Sequence, residues 1–210
     1  MNKQPVLWNY VDKDVDAHDY DLVERVCANI QSRGEQTDFT AYNRHQLLTH
    51  LKKNQNCKTI LEIGVENNPN RLTSTSIFLD NKDKDAFYFG VDIEDKSSLR
   101  DEENNVYTIQ TLSENINEVM NILYSKGRKE IDFLFIDGKH SINQVIKEWE
   151  YTQWLSPEGI VGFHDTNHHP GPRYFIENVI DRNLWEVAEF TGEDLYADFG
   201  ITFVWRKTIQ

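Results

Sequence analysis

From Lys58 onward the chain alternates short apolar runs with helical stretches. The runs are residues 58–64 (KTILEIG), 86–93 (AFYFGVDI), 106–109 (VYTI), 131–137 (IDFLFID), 159–165 (GIVGFHD), 184–190 (LWEVAEF) and 199–205 (FGITFVW). Strands that are apolar throughout are what a parallel sheet covered on both faces requires. Between them, Glu114–Tyr124 and Ser141–Leu155 repeat their apolar residues at helical spacing. Strands alternating with helices predict an α/β chain with a doubly wound, mostly parallel sheet of seven strands. No helical segment separates the last two runs, which TGEDLYADFG joins, so a C-terminal antiparallel hairpin on the sheet edge is expected. Trp149 and Trp154, on the helix after the fourth run, are predicted core residues.

Residues 1–56 read differently. Leu22, Val26 and Ile30 recur at helical spacing in Asp21–Ile30, and Leu47, Leu48 and Leu51 do so in Phe39–Leu51. Thr37, Asp38 or Thr40 suits the N-cap of the second segment. The expected organisation is an N-terminal helical cap over residues 1–56 and a sheet domain over 57–210. Trp8, Tyr10 and Tyr42 are expected to pack within that cap.

The chain has 210 residues, enough for one large domain. Lys and Arg total 22 against 35 for Asp and Glu, a formal net charge of −13. Phosphate neutralisation by basic side chains is what holds nucleic acid, and no basic stripe exists here. An anionic membrane surface is disfavoured for the same reason. With a mean hydropathy of −0.65 and no long apolar run, no transmembrane helix is expected. The opening MNKQPVLWNYVDKD lacks the apolar stretch of a secretory leader, so the expected location is cytoplasmic. Cys27 and Cys57 are too few for a disulfide scaffold and stand in no CxxC, so both are expected to be plain thiols. Self-association into a homo-oligomer is compatible with this composition.

Ligands of open α/β sheets bind beyond the carboxyl ends of the strands. Five such ends carry polar groups here: Glu62-Ile-Gly64 and Glu66 after the first run, Asp92 after the second, Ser113 after the third, Asp137 and His140 after the fourth, and His164-Asp165 after the fifth. Gly64 allows a tight turn and close backbone approach. Asp92, 28 residues later, suits a carboxylate that accepts from ribose hydroxyls. Glu66 and Asn68 stand where a dinucleotide-binding loop has its later glycines, which disfavours a pyrophosphate. A cationic or neutral ligand carrying a ribose fits better, and S-adenosylmethionine is one.

At these residues the chain resembles the class I S-adenosylmethionine-dependent methyltransferases, over roughly residues 58–205. ILEIG (60–64) is similar to that family's first motif, with Glu62 and Gly64 in its E-x-G positions, and GVDIED (90–95) to its second. IQTLSENI (109–116) resembles the adenine-contacting segment, with Ser113 as the contact. SPEGIVGFHD (156–165) resembles a later motif, with Glu158 in place of a glycine. The stretch from Asp137 to Asp165 is further similar to the metal-dependent O-methyltransferases of the catechol and macrocin types. The resemblance implies a Rossmann-like fold and cofactor binding by Glu62, Gly64, Asp92, Ser113 and Asp137. It implies a divalent metal, magnesium in most of the group, on Asp137 and Asp165. It also implies that His140, three residues after Asp137, takes the acceptor's proton, and that the acceptor is a hydroxylated small molecule.

A third protein ligand is usual in that group. Among His164, Thr166 and Asn167, His164 is the expected one, and its nitrogen moves metal preference toward manganese, iron or zinc. Ser74, Thr75 or Ser76 suits the N-cap of the helix after the first strand. HHPGP (168–172) reads as a rigid turn at the pocket lip. Three alternatives stay open: metal-free transfer using His140 or His164 alone, a catalytically idle nucleotide-binding domain, and a metal-dependent hydroxylase or hydrolase using Asp137, His140, His164 and Asp165.

Overall fold

A computed structural model describes residues 41–208 apart from residues 55, 69–71, 168 and 191–198. Cys27, Trp8, Tyr10 and the expected helix Asp21–Ile30 lie outside the described residues. Seven strands form one sheet: β1 Thr59–Ile63, β2 Phe87–Asp92, β3 Val106–Gln110, β4 Ile131–Ile136, β5 Leu155–His164, β6 Trp185–Phe190 and β7 Ile201–Arg206. Their order is β3-β2-β1-β4-β5-β7-β6. The first five run parallel, while β7 pairs antiparallel with both β5 and β6. The expected doubly wound sheet with its C-terminal hairpin is therefore present.

Alternation along the strands explains why they read as apolar throughout. Leu61, Ile63, Leu134 and Ile136 face a core covered by α3 (Ile116–Ser125), α4 (Ile142–Trp149) and α5 (Pro170–Asn178). Ile60, Phe133, Phe135 and Phe203 face the other core, covered by α1 (Ala41–Lys53) and α2 (Ser74–Asn81). Successive side chains point to opposite faces, and each face has its own layer of helices. Leu47 and Leu51 of α1 join the second core directly, so this helix packs on the sheet itself. Trp149 packs against Phe163, Phe175 and Trp185, and Trp154 also lies against the first core. Burial pushes the Cys57 thiol up to about 12, which suits an inert core thiol.

Two local expectations are corrected. The helix expected to run from Ser141 to Leu155 stops at Trp149, passes through a 3-10 turn over Glu150–Trp154, and Leu155 already belongs to β5. Pro157 disfavours helical backbone at Ser156, and the Arg206 guanidinium donates to the carbonyls of Thr152, Leu155 and Ser156. Thr73, one residue before the three candidates, is the N-cap of α2. It accepts from the Ser76 N–H, and Ser76 returns a bond to the Thr73 N–H in a capping box. No helix among the described residues is long and apolar enough to cross a membrane.

Candidate active site

The strand order reverses between β1 and β4, and a crevice opens there at the carboxyl ends. A cavity of about 640 Å³ occupies it, and Gly64, Asp92, Ser113 and Asp137 all line it. Gly64 has φ +82°, and a Cβ at this position would lie 2.0 Å from the Asp137 carbonyl oxygen. The glycine thus lets the β1 turn press against the residue that follows β4. Backbone bonds from Gly64 N–H to Val91 O (2.9 Å) and from Asp137 N–H to Ile63 O (2.8 Å) tie the three strand ends together.

Asp92 is held as firmly. Its Oδ2 accepts from the Val65 N–H and its Oδ1 from the Glu94 N–H, each at 2.8 Å. The carboxylate borders the cavity with one geometry fixed by backbone donors and retains lone pairs for a ligand. Beyond it, Ile93 and Leu112 are unusually exposed for large apolar residues, at 66% and 52%, and both line the same cavity. Ser113 lies at that end.

Glu62 is placed differently from expectation. It is fully buried and absent from the cavity lining. On β1 it shares the face of Ile60, so it points at the start of α2. There its carboxylate accepts hydroxyl bonds from Ser74, Thr75 and Tyr88. Its strand partner is Gly90, where a Cβ would crowd Val65 and the Tyr88 hydroxyl. Burial raises the Glu62 carboxyl to about 7, against the pull of the three hydroxyls. Glu62 anchors α2 to the sheet beneath the site and is not among the residues that line the cavity.

At the ends of β4 and β5 ionisable groups face one another. His164 Nδ1 lies 3.2 Å from Asp137 Oδ1 and 3.1 Å from Asp165 Oδ1. His140 Nε2 lies 3.4 Å from Asp137 Oδ1 and 3.2 Å from Asp165 Oδ2. His169 Nε2 stands 3.6 Å from Asp165 Oδ2, its ring stacked on His140 at 4.2 Å. Asp165 holds φ 57°, a left-handed conformation rare for a non-glycine residue and characteristic of functional turns. The turn is set by the His169 N–H donating to the Asp165 carbonyl and by Asn167 N–H donating to Phe199 O. Gly171 completes it: a Cβ there would lie 2.1 Å from the His140 carbonyl, so only glycine lets α5 begin against the His140 loop.

The electrostatics follow from this crowding. Burial would raise the Asp137 carboxyl, but the His164 charge, its hydrogen bond and the nearby His140 imidazole outweigh it and hold it well below the usual carboxylate range. Burial would lower the His140 imidazole, yet Asp165 and then Asp137 outweigh that and raise it. Both ring nitrogens of His140 are buried and make no hydrogen bond. Asp137, His164 and Asp165 offer donor atoms within 4.8 Å of one another, and so do His140, Asp165 and His169. Carboxylate oxygens and imidazole nitrogens converging in this way fit a divalent cation.

The structure therefore brings together Gly64, Asp92, Ser113 and Asp137 in one cavity, and Asp137, His140, His164 and Asp165 beside it. Asp137 belongs to both. His169, which the sequence placed in the lip turn and among the histidines near the two strand-end aspartates without a role of its own, joins the acid–imidazole cluster at Asp165, four residues earlier. Sequence reasoning missed Gln144, which lines the cavity, and Glu148, which is fully buried behind Ser113. Their (i, i+4) spacing on α4 puts them on one helix face. His168 lies outside the described residues.

A family model described as a methyltransferase domain matches residues 25–166, more than half of the chain. No curated protein sequence matches this chain significantly. Among solved structures, the chain is similar to the O-methyltransferase from Bacillus cereus in complex with SAH (S-adenosylhomocysteine). That similarity has 14% identity and a TM-score of 0.58, and it covers 97% of this chain and 98% of that one. It is also similar to the MycE methyltransferase of the mycinamycin biosynthetic pathway in complex with Mg, SAH and mycinamycin VI. Here identity is 16% and the TM-score 0.57, over 88% of this chain but only 54% of MycE, so the match spans about half of MycE's length. An rRNA methylase from Streptococcus thermophilus aligns at 11% identity and a TM-score of 0.53, covering 78% of this chain and 96% of that one. At such identities the solved structures establish the fold, and the family model establishes kinship. The chain belongs to the methyltransferase domain family.

Proposed function

We propose that this enzyme is an O-methyltransferase that moves the methyl group of S-adenosylmethionine to a hydroxyl of a small-molecule acceptor, with a divalent cation at the ends of β4 and β5. The observation that carries this reading is the position of Asp137. It lines the cavity that begins at Asp92 and Gly64, and its Oδ1 also lies 3.2 Å from His164 and 3.4 Å from His140.

In this reading Asp92 accepts from the ribose hydroxyls, while Ile93 and Leu112 cover the purine and Ser113 lies at its edge. The sulfonium end points back toward Gly64 and Asp137, where negative charge favours a cation. Asp137, His164 and Asp165 would hold the divalent cation, which supplies Lewis acidity toward a hydroxyl of the acceptor. His140 faces that hydroxyl and takes its proton on Nε2. The acceptor oxygen attacks the methyl carbon in line, the carbon–sulfur bond breaks, and its electron pair leaves the sulfur as a neutral thioether. Holding both reactants in that alignment lowers the barrier by several kcal/mol, up to about 7–11 in the best cases.

The net charge of −13 favours a small acceptor over nucleic acid, although an rRNA methylase shares the fold. The absence of a spanning helix among the described residues agrees with work in the cytoplasm. Methyl transfer to a panel of catechols and hydroxylated sugars, followed by release of S-adenosylhomocysteine, tests the proposal. Activity is expected to vanish with EDTA and to return with added magnesium or manganese. Turnover indifferent to EDTA contradicts the role of the cation.

A further inference from the structure

Behind the cavity wall lies a polar group that the reaction as described does not use. Glu148 is fully buried, and its Oε2 makes no hydrogen bond. Its Oε1 accepts from the Ser113 hydroxyl at 2.6 Å and, more weakly, from Gln144 Nε2 at 3.4 Å. Gln144 Nε2 also donates to Ser113 Oγ at 2.8 Å. The Tyr151 hydroxyl, from the turn after α4, donates to the Ser113 carbonyl at 2.8 Å. One helix and its extension thus grip the loop after β3 at both its side chain and its backbone.

This network decides which way the Gln144 amide points. Its nitrogen is committed to two oxygens, so its carbonyl oxygen is the end turned away from them, on a side chain that lines the cavity. The arrangement survives titration of Glu148. Oε1 accepts whether the group is ionised or carries a proton on Oε2. The Ser113 proton is likewise spent on Glu148, leaving that hydroxyl only acceptor capacity. The wall at the Ile93–Leu112 end of the cavity therefore offers acceptors, and an acceptor wall selects a ligand edge that donates.

Resting on the cofactor reading above, we propose that Gln144 reads the exocyclic amino group of the adenine and that Glu148 is the positioning residue that fixes its orientation through Ser113. A purine with a 6-oxo group presents an acceptor at the same place. It meets the Gln144 carbonyl with like polarity and loses a hydrogen bond.

The test is calorimetric titration of the full chain with S-adenosylhomocysteine and with S-inosylhomocysteine, its 6-oxo counterpart. Wild type is expected to bind the adenine compound about 30-fold or more tightly than the 6-oxo compound. Gln144→Ala should weaken adenine binding about tenfold and collapse the ratio to below about threefold. Glu148→Gln, whose amide can donate or accept toward Ser113, should release the Gln144 orientation and lower the ratio while the protein stays folded. A purely structural Glu148 would lower the melting temperature or weaken both ligands alike and leave the ratio unmoved; that result removes it as the positioning residue. Gln144→Ala keeping the wild-type ratio overturns the base reading. Equal binding of both compounds by wild type overturns the base reading alone. Binding of neither overturns the cofactor reading beneath it.

Discussion

The two halves of the strand-end edge are built on opposite principles. On the β1–β2 side the carboxylates of Glu62 and Asp92 accept hydrogen bonds from neutral donors, with the Lys96 ammonium 3.9 Å from Asp92. Glu62 takes three hydroxyls, and Asp92 takes two backbone N–H groups. On the β4–β5 side charged groups answer one another across 3.1–3.6 Å, His140 makes no hydrogen bond, and Asp165 sits at positive φ. The first half is complete before any ligand arrives. In the proposed function the second is completed by a cation, around which converging carboxylates and imidazoles best repay their desolvation. On the proposed function, a half built for a neutral ribose and a half built for an ion thus stand about one strand apart, joined at Asp137 and Gly64.

Substitutions that treat the halves unequally sharpen this contrast. Asp165→Ala should have the largest effect, lowering turnover on the order of 1,000-fold while S-adenosylhomocysteine affinity moves less than about threefold. His140→Ala should cost about 100-fold in turnover, again with affinity retained, because it removes a proton acceptor and no cofactor contact. A parallel loss of cofactor affinity in either variant would erase the division. The smallest expected effect concerns Glu62. Its folded pKa, about 7, lies above the ordinary 4.5, so the folded chain binds more protons than the unfolded chain between those values. Its contribution is therefore fully present below pH 4.5 and is lost as pH rises toward 7. Glu148, also raised to about 7 by burial, adds to the same trend. Unfolding free energy is expected to fall as pH rises from 5 to 7, by on the order of 2 kcal/mol per group, the melting temperature falling with it, and Glu62→Gln should flatten part of that slope. An unchanged slope would mean that Glu62 is not strained by its burial.

The central strands were legible in the sequence because both faces are covered, which makes those runs apolar, whereas the edge strand β6 carries exposed Glu186 and Glu189. The site was legible where chemistry sits at strand ends: Asp92, Asp137, His164 and Asp165 needed only the topology to converge. The direction of Glu62 was not legible, because a strand position looks alike from the sequence whether its side chain faces a cavity or a helix. Alternation with Ile60 on the α2 face settles it. His169 was read as a turn because its approach to Asp165 depends on the positive φ at Asp165 and on Gly171 fitting against the His140 carbonyl. Neither is written in local pattern. The early end of α4 likewise depends on Arg206, 50 or more residues away in sequence from the carbonyls of Ser156, Leu155 and Thr152.

The most direct test of the two-part edge is a calorimetric titration of S-adenosylhomocysteine into wild type, Asp92→Ala and Asp165→Ala. Expected are one site per chain in wild type, affinity weakened about tenfold or more in Asp92→Ala, and affinity within about threefold of wild type in Asp165→Ala. No heat with wild type, or the weakening appearing in Asp165→Ala and not in Asp92→Ala, would contradict it.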